Sequence, residues 1–125
     1  MITMRRRFGG PVTYSAAGWE HVDWSLFDLA GVSLYRSGRS PPPTRTAYTD
    51  RLRGLVRDQD KPVVITEFGC GAFTGAEQRG AGSFWIVNWF AVPPRIRGDH
   101  PRDEAVQARC LGELIDQYDA EGVHG

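Results

Sequence analysis

Apolar and polar positions along the chain switch repeatedly between the two-residue spacing of strands and the 3.6-residue spacing of helices. Val12-Thr13-Tyr14-Ser15-Ala16, opened by Gly9-Gly10-Pro11, is short, β-branched and aromatic, and predicts a strand. Trp24, Leu26 and Phe27 suit one side of a brief helix. Ala30-Gly31-Val32-Ser33-Leu34-Tyr35 predicts a second strand. Residues 37–43 form a proline-rich loop, because consecutive prolines join neither a helix nor a sheet interior. A helix follows, with Thr46 as N-cap and Tyr48, Leu52, Leu55 and Val56 at the i, i+4, i+7, i+8 spacing of an apolar stripe. Asp60-Lys61-Pro62 ends it, since the residue before a proline disfavours helical angles. Val63-Val64-Ile65-Thr66-Glu67 opens without alternation, the pattern of a strand covered on both faces in a parallel sheet. Residues 71–98 are irregular, with aromatic islands at Phe84-Trp85-Ile86-Val87 and Trp89-Phe90. From about Asp103 a last helix carries Val106, Cys110, Leu111, Leu114, Ile115 and Tyr118 as its buried stripe. Glu121-Gly122-Val123-His124-Gly125 reads as a helix stop and the first residues of a further strand. Strands alternating with helices predict an α/β fold built on a parallel sheet.

Size and charge narrow the picture. A length of 125 residues suits one domain, here 11–125 behind a tail over 1–10 in which Arg5-Arg6-Arg7 is solvated. No apolar run approaches the roughly 18 residues of a membrane span. Lys+Arg (15) equals Asp+Glu (15), and zero net charge argues against a nucleic-acid groove. Lys61 is the sole lysine, so arginine supplies the other cations, a bias that suggests GC-rich coding rather than a partner. The N-terminus lacks the apolar stretch of a secretory signal, which predicts a cytoplasmic protein. Cys70 and Cys110 show no metal-ligand spacing and read as free, buried thiols. His21, His100 and His124 are likewise too scattered to hold a metal. With no Gly-rich phosphate loop and no serine elbow, neither a cofactor nor a metal is expected.

The candidate chemistry centres on Ile65-Thr66-Glu67-Phe68-Gly69. A carboxylate after the apolar run Val63-Val64-Ile65 and Thr66 sits at the carboxyl end of a parallel strand, where α/β barrels project their catalytic side chains. A partly desolvated glutamate there can attack the anomeric carbon of a sugar, acting as nucleophile or base. A structural role, as the partner of a nearby arginine in a buried ion pair, explains the same residue equally well. Tyr35 closes the second strand, and Trp19, Glu20 and Trp85 fall in loops at the same end. Flat rings stack on the C–H faces of sugars, which makes Tyr35, Trp19, Glu20 and Trp85 candidate substrate-binding residues.

Val12–Ala16, the Trp19-Glu20 loop with Val22-Asp23-Trp24, residues 27–36, and Lys61-Pro62-Val63-Val64-Ile65-Thr66-Glu67-Phe68-Gly69-Cys70 together resemble a known family. They are similar to the C-terminal half of a (β/α)8-barrel glycoside hydrolase, of the large retaining clan whose nucleophile ends strand seven. Bacterial relatives of that kind often carry the label abortive infection protein. The resemblance covers roughly residues 10–125, and the block ending in Glu67 is its most specific part. It implies a partial TIM barrel, strands five to seven with the start of strand eight, in which Glu67 is the nucleophile and Tyr35 the aromatic residue beside it. The clan's acid/base glutamate ends strand four, which has no counterpart here, so the resemblance implies a chain inactive alone and carbohydrate as its ligand. Open sheet edges would also invite self-association. Two other readings fit the same residues: a carbohydrate- or protein-binding remnant without catalysis, and a small three-stranded α/β domain unrelated to barrels.

Overall fold

A computed structural model describes residues 5–17, 20–36 and 43–124, with the side chains of 43–48 excepted. Three short strands, β1 (Ser15–Ala17), β2 (Ala30–Ser33) and β3 (Val63–Glu67), form a parallel sheet whose spatial order follows the chain. Beyond β3, His124 bridges Val64 in parallel, and its N–H donates to the Val63 carbonyl at 2.9 Å. A fourth chain segment therefore begins to extend the sheet where the sequence predicts one. Helix α1 (Pro43–Asp58) connects β2 to β3, and α2 (Glu104–Ala120) precedes the His124 bridge. The chain is an α/β protein with a parallel sheet.

The helices cover one face of the sheet. Val32 and Leu34 from the β2 segment pack with Leu52 of α1 and with Cys110, Leu114 and Tyr118 of α2, all buried; Leu55, Ile65, Phe68, Cys70 and Val123 border them. Polar ties then fix the angle of α2: Tyr118 donates its hydroxyl to the Leu34 carbonyl at 3.3 Å, and Gln117 donates to Thr49 Oγ1 at 2.6 Å. A second cluster, Phe73, Ala76, Ile86 and Val106, holds the segment after β3 against the start of α2.

Local chemistry sets the ends of the elements. Asp103 caps α2 by accepting from Val106 N at 3.1 Å. Gly122, at φ +74°, takes the left-handed position that stops the helix, and Val123 N–H reaches back to the Tyr118 carbonyl at 3.1 Å. Helix α1 begins at Pro43, three residues before the expected Thr46 cap. A proline in the first turn has no N–H to lose there, and its fixed φ already suits a helix.

Other expectations need correction. Strand β1 is shorter and later than Val12–Ala16, while the 24–27 region is one 3-10 turn, Trp24–Leu26, capped by Asp23. β3 is not covered on both faces: Val63 is buried, Val64 and Ile65 are half-buried, and Thr66 and Glu67 are exposed. Of the α2 stripe, Val106, Cys110, Leu114 and Tyr118 are buried, whereas Ile115 is 48% exposed, because three strands give α2 a narrow surface to cover. Residues 71–98 hold a two-stranded antiparallel ribbon, β4 (Val87–Asn88) with β5 (Arg95–Ile96), after the 3-10 segments Ala76–Gln78 and Gly80–Ile86. Arg5 is anchored rather than merely solvated, pairing with Asp28 at 3.1 Å and donating to the Leu26 carbonyl at 3.0 Å. No helix among the described residues is long and apolar enough to cross a membrane.

Candidate functional site

Because all three strands run the same way, the residues leaving them gather along one edge of the sheet. Which face each then occupies depends on register. Ala30, Gly31 and Val32 pair with Val63, Val64 and Ile65, but Ser33 pairs with Glu67, so the ladder skips Thr66. Strict alternation from Ile65, which packs towards the helices, would turn Glu67 towards them as well. The one-residue shift brings Glu67 round beside Ser33, on the face the helices leave open.

There the Glu67 carboxylate meets two hydroxyls. Tyr35 donates to Oε1 at 2.5 Å, and Ser33 donates to Oε2 at 3.2 Å. The Glu67 carbonyl accepts from Leu34 N at 2.9 Å, which fixes the strand end that carries the side chain. Burial pushes the Tyr35 phenol up to about 12, and its hydrogen bond to Glu67 and the carboxylate's charge push the same way. Among the described residues, the partners of the Glu67 carboxylate are these two hydroxyls and not an arginine, the structural alternative. The carboxylate is exposed, in contrast to the partly desolvated group that the strand pattern suggests.

The same open face is otherwise lined by small side chains. Ser15 Oγ and Thr66 Oγ1 lie 2.6 Å apart across β2, over the backbone of Gly31. A Cβ on Gly31 would come within 2.5 Å of the Tyr14 carbonyl oxygen and 3.0 Å of Thr66 Cγ2, so only glycine lets the two outer strands' side chains meet.

Of the sequence candidates, the structure brings Glu67 and Tyr35 into contact. Glu20 sits where the chain leaves β1, but both its oxygens are engaged locally, accepting from Ala17 N at 2.6 Å and from Tyr14 OH at 3.1 Å. That hydrogen bond also raises the Tyr14 phenol. Trp85 is 79% exposed and borders a hollow with Gln78, Arg79 and His100, away from Tyr35. Trp19 lies outside the described residues.

Sequence reasoning missed two contributors. Ser33 is one: nothing in an isolated serine predicts that a register shift will set it opposite Glu67. Trp89 is the other. It shares with Tyr35, Phe68, Phe73 and Phe84 a cleft of about 430 Å³, large enough for a ring-sized ligand. Its place in the second aromatic island was the available signal, and the 3-10 path of 80–86 decides that Trp89, not Trp85, joins the cleft.

Comparison with known proteins adds no family. No protein-family profile and no curated protein sequence matches the chain.

Among the described residues, no three His, Cys, Asp or Glu side chains come close enough to hold a metal ion. His100 packs edge-on against Phe73, with ring centroids 5.3 Å apart. What the arrangement offers chemically is an oriented carboxylate, two hydroxyls that fix its oxygens, and an aromatic cleft reached past one of those hydroxyls.

Proposed function

We propose that the chain is part of a (β/α)8-barrel protein of the retaining glycoside-hydrolase type, with Glu67 as the nucleophile and Tyr35 as the residue that orients it. The observation that carries this reading is the 2.5 Å hydrogen bond from Tyr35 to Glu67, made where two adjacent parallel strands end. Sequential strand order, with both helices on one face, supports assigning β1 to β3 as barrel strands five to seven and the His124 bridge as the start of strand eight. In the attack, a Glu67 oxygen bonds to the anomeric carbon while the aglycone leaves. Tyr35 and Ser33 hold the carboxylate's direction, and the Trp89 cleft takes a ring of the ligand. Two unbridged cysteines support a cytoplasmic setting.

Dinitrophenyl 2-deoxy-2-fluoroglycosides test the nucleophile directly, because their leaving group departs without a proton donor. The expected result is one sugar adduct on Glu67 by peptide mass mapping, absent from Glu67→Gln. An adduct on another residue, or equal labelling of the variant, would overturn the assignment.

A second reading rests on Glu20. This carboxylate, also at the exit of a strand, is taken up by Ala17 N and Tyr14 OH and is poorly placed to give a proton. The site would then bind carbohydrate without cleaving it. Glycan binding retained by Glu67→Ala and lost by Trp89→Ala, with no fluoroglycoside adduct in the parent, would favour this reading over catalysis.

A further inference from the structure

We propose that Cys70 and Cys110 form an oxidisable pair, closed to a disulfide by peroxide or by a small-molecule disulfide such as oxidised glutathione. The two residues are 40 positions apart, yet packing brings them together. Cys70 borders the buried cluster that contains Cys110. Its carbonyl accepts from Gln107 Nε2 at 2.9 Å, and Gln107 lies one turn before Cys110 on α2.

Closing the bond requires the sulfurs to approach to about 2.05 Å. The backbone can supply the movement, because Cys70 sits between Gly69 and Gly71 in the turn that leaves β3. An oxidant can also reach it: Cys110 is buried, but Cys70 lines the cleft shared with Tyr35 and Trp89.

The chemistry balances with either reagent. Attack of one thiolate on the O–O bond of peroxide releases hydroxide and leaves a sulfenic acid, and the second thiol displaces that oxygen as water. Overall, two thiols lose two hydrogens and two electrons, and one peroxide becomes two waters. With oxidised glutathione, the first cysteine expels one glutathione thiolate to give a mixed disulfide, and the second cysteine expels the other.

The surroundings make the reaction slow and sensitive to pH. Burial, the neighbouring Cys110 thiol and the Glu77 carboxylate push the Cys70 thiol up to about 12, opposed by the Arg36 guanidinium. Arg36 is in turn shared with Glu113 of α2, at 2.9 Å. Since the thiolate is the reacting form, closure should speed up about tenfold per pH unit between pH 7 and 10.

The test equilibrates the reduced full chain in graded mixtures of reduced and oxidised glutathione, quenches with acid, alkylates free thiols and maps non-reduced peptides by mass. Expected is a monomer lighter by two hydrogens with the Cys70 and Cys110 peptides joined. It should be half-formed at a ratio at least about tenfold more reducing than the same chain needs in urea. Cys110→Ala, which leaves the accessible Cys70, should yield a glutathione adduct instead, whereas Cys70→Ala, which leaves only the buried Cys110, should yield little. The comparison of native with urea-unfolded parent decides the matter even if a variant does not fold. Mixed disulfides, intermolecular dimers or two intact thiols in the native chain, under conditions that close the unfolded one, would overturn the pairing.

Discussion

Replacing Gly31 by alanine should weaken the sheet at its centre. The added Cβ would lie 2.5 Å from the Tyr14 carbonyl oxygen, 2.7 Å from Thr13 Oγ1 and 3.0 Å from Thr66 Cγ2. The carbonyl cannot move cheaply, because Ser15 beside it pairs with Gly31 itself. Thr13 can rotate only by giving up its 2.8 Å hydrogen bond to the Leu29 carbonyl. Overpacking of this kind costs about 1–3 kcal/mol, and the lost hydrogen bond roughly 1 kcal/mol more. Exchanging glycine for alanine in a strand returns about 0.5–1 kcal/mol. The net loss expected is about 1–3 kcal/mol, read from urea unfolding followed by circular dichroism. Gly112→Ala supplies the internal control: it sits within α2 with nothing near its would-be Cβ, so alanine should stabilise by about 0.5–1 kcal/mol. If Gly31→Ala unfolds at the parent's urea concentration, or shifts with Gly112→Ala in the stabilising direction, the close approach across β2 is refuted.

Three further outcomes are expected. Leu114→Ala, at a site with no solvent exposure between the helices and the sheet, should cost about 2–5 kcal/mol in the same urea assay. Asp103→Ala removes the acceptor for Val106 N and should cost roughly 1 kcal/mol, with hydrogen exchange faster in the first turn of α2. Absorbance near 295 nm should show the Tyr35 phenol, identified as the transition lost in Tyr35→Phe, ionising close to pH 12. Its folded value lies above its unfolded one, so its contribution to stability is complete below pH 10 and fades as the pH rises towards 12. In Glu67→Gln the Tyr35 transition should fall only part of the way back, because burial is the larger cause.

The alternation of strands and helices was legible because each segment carries its own periodicity, and β3 falls where its apolar run lies. Glu67 was legible for the same reason, as a carboxylate ending that run. Contacts between distant segments were not. No local pattern encodes the skipped Thr66 that turns Glu67 towards Ser33. The Cys70–Cys110 contact depends on where α2 lies on the sheet. Ile115 illustrates the limit of a helical stripe: spacing marks it as inward, but a sheet of three short strands leaves it half uncovered. Trp85 and Trp89 are indistinguishable by composition, and only the path of the backbone between them separates the cleft from the neighbouring hollow.

The skipped residue at Thr66 makes chain length, as well as composition, bear on this site. Deleting Thr66 would set Glu67 directly after Ile65, where simple alternation alone turns it to the open face, still opposite Ser33. The deletion would remove the Thr66 contact to Ser15 but leave the Tyr35–Glu67 pair in place. Deleting Val64 instead would shift the pairing that sets Val63 and Ile65 against β2. Single-residue losses should therefore be tolerated at Thr66 and in the exposed turn between β4 and β5, and rejected earlier in β3. A library of one-residue deletions would reveal that boundary, and a Thr66 deletion that returned the Tyr35 transition from about 12 to near pH 10 would show that the skipped residue is itself needed for the site.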